Sequence, residues 1–190
     1  MKKIWLLILS MTLIALSGCG LDKTKPYQMK SFTFTNQNGK AFGSESLKGK
    51  VWVANFIFTN CDTVCPPMTA NMAALQKRLR AEDLPVELVS FSVDPAVDTP
   101  NKLKKYIAGF TEDESNWQML TGYTQEQIET FGREEFQTLI QKPESSNQVI
   151  HNTNFYLVNQ HGEIVEEYSF TLGAHSDDMI KDIKKTLSNS

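Results

Sequence analysis

Residues 51–67 read VWVANFIFTNCDTVCPP and join an apolar run to a pair of cysteines. Residues 51–58 are almost continuously apolar, as expected for a central strand that is covered on both faces. The two prolines that follow lack an N–H group and therefore fit the first turn of a helix, where such donors have no partner. Because the residue before a proline avoids the helical region, we predict Cys65 at or just before the helix start. Cys61 then lies on the loop that leads into the helix.

The sequence on either side predicts alternating strands and helices. Asn38-Gly39 is a turn signal between residues 32–34 and 40–42, which predicts an N-terminal β-hairpin. The other predicted strands are residues 51–58, 86–93, 154–158 and 164–168. The predicted helices are the one after Cys65 and residues 101–110, 125–136 and 177–187, while 117–120 is a short apolar element and 142–148 a surface loop. This order predicts an α/β fold with a mixed central sheet flanked by helices.

The N-terminus has the features of an export signal. Two lysines precede the apolar residues 4–16, a run shorter than the roughly 20 residues of a membrane-spanning helix. Leu16-Ser17-Gly18-Cys19 then resembles a bacterial lipobox, in which the cysteine becomes lipidated. We therefore predict a lipoprotein signal peptide at 1–18, a lipid-anchored tether at 19–30 and one folded domain at 31–190. The expected location is the extracytoplasmic face of the cell membrane.

Composition narrows the function classes. The 190 residues include 19 Lys+Arg and 22 Asp+Glu, a net charge of −3 with no basic stripe, so no nucleic-acid partner is expected. After Cys19, the chain's remaining two cysteines are Cys61 and Cys65. A disulfide closing so short a loop would contribute only about 2–3 kcal/mol of stability. A chemical role therefore explains the pair better than a structural disulfide.

Cys61, Cys65 and the distant His151 form a candidate metal site. A helix N-terminus stabilises a thiolate, which is the form that binds soft metals and takes part in disulfide exchange. His151 precedes the strand at residues 154–158, so the sheet could bring it beside the helix start; the alternative is a surface histidine. Two thiolates and one imidazole suit Cu(I), Cu(II) or Zn(II), and thiolate softness favours Cu(I). Met68 and Met72 are interpreted as core residues. The other histidines, at 161 and 175, are predicted to lie outside the site.

The chain resembles the Sco/SenC proteins, particularly those of Gram-positive bacilli. The resemblance rests on FIFTNC (56–61), VCPPM (64–68), FSVDP (91–95), DTP (98–100), VIH (149–151) and FYLV (155–158). It implies a thioredoxin-like fold and copper binding by Cys61, Cys65 and His151. It also implies a role in maturing the binuclear copper centre of cytochrome c oxidase subunit II. Asp94 falls at a family position near the site, where it could support a ligand without binding the metal.

Three functions are compatible with these thiols to different degrees. The first is a copper metallochaperone, a monomeric binding and delivery protein for subunit II rather than an enzyme. The second is a thiol–disulfide reductase that keeps the copper-site cysteines of subunit II reduced, with Cys61 and Cys65 as its redox disulfide. The third, a peroxiredoxin-like peroxidase, is disfavoured because Phe58 stands where such enzymes have Thr or Ser. Sequence alone does not separate the first two functions, because copper binding and redox exchange use the same sulfur atoms.

Overall fold

The computed structural model describes residues 27–169 and 176–189. The predicted signal peptide, Cys19, most of the predicted tether and His175 lie outside these residues. Within the described ranges, no helix is both long enough and apolar enough to cross a bilayer.

Nine strands and five helices are described. The strands are β1 (Thr33–Asn36), β2 (Ala41–Gly43), β3 (Val51–Ile57), β4 (Val86–Ser92), β5 (Trp117–Thr121), β6 (Ile140–Gln141), β7 (Ile150–His151), β8 (Asn154–Val158) and β9 (Ile164–Ser169). The helices are α1 (Ser44–Leu47), α2 (Cys65–Ala81), α3 (Pro100–Ile107), α4 (Gln125–Glu135) and α5 (Ser176–Ser188). Predicted boundaries agree closely for most elements, and the capping box at the start of α4 joins Thr124 and Gln127 as its sequence indicates.

Seven strands form one mixed sheet in the order β2-β1-β5-β4-β3-β8-β9. The central strands β3, β4 and β5 are parallel to one another, whereas β1 and β8 run antiparallel to their central neighbours. Residues 117–120, expected only as a short apolar element, form β5 between β1 and β4. The predicted α/β class with a mixed sheet is confirmed.

The core covers both faces of the sheet. On one face Phe91 is the centre of an aromatic cluster with Phe32, Phe34, Phe56, Phe131 and Phe136. In α2, Met68 and Met72 are fully buried, which confirms their interpretation as core residues. Every residue of β3 is buried, so this strand is a rigid support for whatever follows its carboxyl end.

Residues 27–30 contact the domain at the amino end of β3. The Met29 N–H donates to the carbonyl of Gly162 in the β8–β9 turn, and the Tyr27 hydroxyl donates to the buried carboxylate of Glu135. Strand β8 is antiparallel to β3 with Val158 opposite Trp52, so this turn lies beside the first residues of β3. The chain therefore enters the domain at the end of the sheet opposite the cysteines.

The predicted surface loop 142–148 forms the tip of a small hairpin. Its strands are β6 and β7, in which Ile140 pairs with His151 and Gln141 with Ile150. The hairpin packs on α4 at Gly132, where an added Cβ would lie 2.5 Å from Cδ1 of Ile140. The absence of a side chain at Gly132 lets Ile140 pack this closely on α4, and a larger residue would displace the Ile140 side chain in the strand opposite His151.

Candidate metal centre

The structure brings Cys61, Cys65 and His151 to one place at the carboxyl end of β3. Cys65 is the first residue of α2 and both prolines lie in the first helical turn, as predicted. Cys61 lies on the loop from β3, and the Cys65 N–H approaches its sulfur at 3.4 Å. His151 lies in β7, with its Nε2 atom 3.8 Å from the sulfur of Cys65. The alternative of a surface histidine is wrong, because this side chain is half-buried between Phe58 and the thiols.

The two thiols have different electrostatic environments. Burial raises the pKa of the Cys61 thiol, but hydrogen bonds from Cys65 and Thr63 outweigh burial and bring the pKa below its ordinary value. Burial raises the pKa of the Cys65 thiol well above its ordinary value, and the neighbouring Cys61 adds to this effect. Cys61 is therefore the more readily ionised of the two thiols, and Cys65 is the thiol that holds its proton more tightly.

The backbone orients the imidazole of His151 towards the thiols. Its Nδ1 atom lies 2.6 Å from the carbonyl oxygen of Asn152, and a carbonyl only accepts, so Nδ1 carries the proton. Burial lowers the pKa of His151 below its ordinary value, and the hydrogen bond to Asn152 only partly opposes this. The ring is therefore neutral at pH 7, and its unprotonated Nε2 faces Cys65. Such an arrangement is typical of a histidine that binds a metal.

The distance between Cys65 and His151 fits two ligands of one metal ion. With bonds of about 2.3 Å to sulfur and about 2.0 Å to nitrogen, as for zinc, two ligands lie about 3.5–3.7 Å apart at tetrahedral to trigonal angles. The measured 3.8 Å is close to that separation. No set of three or more His, Cys, Asp or Glu side chains in residues 27–169 and 176–189 is already grouped closely enough to hold a metal. The Cys65–His151 pair is thus the preformed part, and Cys61 lies next to it.

Asp94 and His161 have no described hydrogen bond to the thiols or to the imidazole of His151. The Asp94 carboxylate accepts from the Lys142 ammonium at 2.5 Å, and its described contacts include no hydrogen bond to the thiols or the imidazole. His161 is exposed in the β8–β9 turn, at the far end of the sheet, as predicted.

Sequence reasoning missed Asp98. This fully buried carboxylate accepts from the backbone N–H and the hydroxyl of Thr59, two residues before Cys61. Burial raises the pKa of Asp98 above its ordinary value, although hydrogen bonds from Ser92 and Thr59 oppose the change. Its signal was its place in DTP (98–100), one of the stretches that carry the family resemblance, but a residue just before Thr99-Pro100 also suits an ordinary helix start.

Comparison with known proteins assigns the family. The model of the SCO1/SenC family matches residues 22–188. This chain belongs to the SCO1/SenC family. A relative, the SCO1 protein homolog of Bacillus subtilis (strain 168), is 46% identical over 187 residues, which cover 97% of each protein. The family assignment made from the sequence motifs is confirmed.

Solved SCO1/SenC structures share the fold. A SCO1/SenC family lipoprotein from Bacillus anthracis str. Ames has a TM-score of 0.83 and 54% identity, covering 86% of this chain and 98% of that one. BsSco, described as a member of the Sco family of cytochrome c oxidase assembly proteins with a disulfide switch, has a TM-score of 0.80 and 47% identity, covering 87% and 96%. ScoI of Bradyrhizobium japonicum with copper bound has a TM-score of 0.70 and 25% identity, covering 84% and 99%. These likenesses confirm the predicted thioredoxin-like fold.

Proposed function

We propose that this protein binds copper through Cys61, Cys65 and His151 and delivers it during assembly of cytochrome c oxidase. The observation that carries the proposal is the 3.8 Å approach of the His151 Nε2 atom to the Cys65 sulfur, next to the second thiol. Sulfur ligands suit Cu(I), and the added imidazole makes Cu(II) feasible as well. The copper-bound structure of ScoI from Bradyrhizobium japonicum supports copper rather than zinc.

The proposed recipient is the binuclear copper centre of cytochrome c oxidase subunit II. Support for an oxidase partner comes from BsSco, 47% identical, whose family is described as cytochrome c oxidase assembly proteins. We propose further that the protein is a monomer anchored on the outer face of the membrane by a lipid on Cys19. The lipobox-like sequence and the likeness to a Bacillus anthracis lipoprotein support this location.

A second function, thiol–disulfide reduction of the subunit II cysteines, is favoured by one observation. The pKa of the Cys61 thiol lies below its ordinary value whereas that of Cys65 lies well above it. An attacking thiolate beside a protonated second thiol suits exchange with a partner disulfide. BsSco is described as having a disulfide switch, which fits a redox-active pair.

Copper titration of reduced protein separates the two functions. Wild type should bind one copper per chain with two sulfur ligands and one nitrogen ligand, and Cu(II) should give a sulfur-to-copper charge-transfer band. Cys61→Ser and Cys65→Ser should each lose the band and most of the affinity. Retention of native affinity in either serine variant would make the ligand assignment wrong. The reduction potential of the dithiol, measured in parallel, tests the reductase function directly.

A further inference from the structure

Two buried carboxylates lie on one short turn at the carboxyl end of β4. The acidic turn, residues 94–98, has the sequence Asp-Pro-Ala-Val-Asp, and its Asp94 and Asp98 are 1% and 0% exposed. A buried carboxylate is costly unless hydrogen bonds or a cation compensate it. The groups that compensate these two carboxylates come from two segments that we call the arms of the metal centre. One arm is the cysteine loop, residues 58–65, and the other is the β6–β7 hairpin, residues 140–151.

Asp98 holds the arm that carries the cysteines. The backbone N–H of Thr59 donates to it at 3.2 Å, the Thr59 hydroxyl at 2.5 Å and the Ser92 hydroxyl at 2.6 Å. Thr59 stands between the end of β3 and Cys61. These bonds therefore fix the point at which the cysteine loop leaves the sheet.

Asp94 holds the arm that carries His151. Its carboxylate accepts from the ammonium of Lys142, whose side chain is 26% exposed. Lys142 directly follows β6, and its backbone N–H donates to Glu129 of α4 at 3.0 Å. Since β6 pairs with β7, Lys142 fixes the hairpin in which His151 lies opposite Ile140.

Ser92 joins the carboxylate of Asp98 to the backbone of Asp94. Its hydroxyl donates to Asp98 and accepts from the backbone N–H of Asp94 at 3.1 Å. The backbone N–H of Asp98 donates in turn to the carbonyl of Asp94 at 2.9 Å. These bonds tie the Asp98 carboxylate to the backbone from which the Asp94 side chain extends, so the two segments of the metal centre are attached to the same short turn.

We propose that the acidic turn holds the two arms of the metal centre at the correct separation. Asp98 positions the cysteine loop through Thr59, and Asp94 positions the His151 hairpin through Lys142. A metal site needs its ligands fixed by supporting contacts to within about half an ångström, and these contacts supply that support. The copper consequence rests on the proposed function, whereas the positioning itself is a property of the copper-free protein.

Because the two arms are attached separately, a substitution in one arm should change Cu(II) affinity and a substitution in the other should change the dithiol reduction potential. Lys142→Met should free the hairpin and weaken Cu(II) binding at least about 10-fold, while the dithiol reduction potential stays unchanged. In a His151→Ala background the same substitution should have almost no further effect on copper affinity, because it acts through the histidine. Thr59→Val should instead shift the dithiol reduction potential in both backgrounds.

The test measures hydrogen exchange of the copper-free protein, Cu(II) affinity and the dithiol reduction potential for each variant. Faster exchange of the β6 and β7 amides is expected in Lys142→Met and Asp94→Asn. Lys50→Met is the matched control, since Lys50 pairs with Glu87 at 2.8 Å at the amino end of β3. It should leave all three measurements at wild-type values. Lys142 is partly exposed, so its substitution tests the Asp94 arm even if Asp94→Asn fails to fold.

Two results would overturn the proposal. One is a wild-type rate of hydrogen exchange for the β6 and β7 amides in Lys142→Met. The other is that Lys142→Met lowers copper affinity as much in the His151→Ala background as it does in the wild-type protein. If His151→Ala itself kept native copper affinity, the proposed ligand set would fail, and hairpin exchange would still decide the positioning role. The two failures are therefore distinguishable.

Discussion

Replacement of His151 by alanine is the most informative single perturbation of the metal centre. The imidazole is half-buried, donates to Asn152 through Nδ1 and presents Nε2 to Cys65 at 3.8 Å. Removing one of three ligands should weaken copper binding at least about 10-fold, equivalent to about 1.4 kcal/mol. The copper-free protein should lose about 1 kcal/mol of stability, since the Asn152 carbonyl loses its donor and Phe58 loses an aromatic contact.

Anaerobic titration of copper against a competing chelator, with thermal unfolding of the copper-free protein, measures both quantities. At this chain length a loss of about 1 kcal/mol corresponds to a fall in Tm of roughly 2–4 °C, so the variant should still fold. His161→Ala is the control, because that histidine is exposed at the opposite end of the sheet. It should bind copper as wild type does.

A folded His151→Ala protein whose copper affinity matches that of the control would exclude His151 as a copper ligand. His151 would then act only on the reactivity of the thiols, and the reductase function would become the better explanation. In cells, the expected phenotype of His151→Ala is lowered cytochrome c oxidase activity at normal protein abundance. Full oxidase activity in that strain would contradict the delivery function independently of the titration.

Three further outcomes are expected. Iodoacetamide should label Cys61 before Cys65 and at a lower pH than an ordinary thiol, because the pKa of Cys61 is lowered and that of Cys65 is raised; peptide mass spectrometry showing Cys65 labelled first would contradict this. Oxidation should join the two cysteines in a reversible disulfide that excludes copper, and full copper uptake without free thiols would disprove it. Phe91→Ala should lower the free energy of unfolding, measured with denaturant, by about 3–5 kcal/mol, because this ring is the centre of the aromatic cluster. The control is Val165→Ala at a 40% exposed position, which should change the free energy of unfolding by less than about 0.5 kcal/mol.

The parts of the fold that the sequence predicted are those with strong local signals. The apolar run of β3, the prolines that open α2 and the capping box of α4 each have a local physical cause, and the structure has all three. Residues 117–120 are too short to show strand periodicity, and they become β5 only because β4 and β1 supply hydrogen-bond partners on both sides.

The sequence indicated the three candidate ligands but not the residues that support them. Cysteines beside a helix-opening proline carry a chemical signal, and so does a histidine in front of a strand. Lys142 carries none, and the place of Asp98 in DTP (98–100) does not indicate its role, because both roles depend on contacts between residues far apart in the chain. The hairpin β6–β7 was hidden for the same reason, since two-residue strands are stabilised by packing on α4 rather than by their own propensity.

The entry of the chain beside the β8–β9 turn sets a working distance for the thiols. With the protein anchored at Cys19 as proposed, the seven residues before Tyr27 can extend about 25 Å at most, and β3 adds about 23 Å of rigid rise. With the tether extended away from the membrane, the thiols lie at the far end of the domain and reach at most about 50 Å from the lipid surface. A recipient site close to the bilayer surface would be reached only by tipping the domain over, so shortening the tether should impair delivery to low sites before it impairs delivery to high ones.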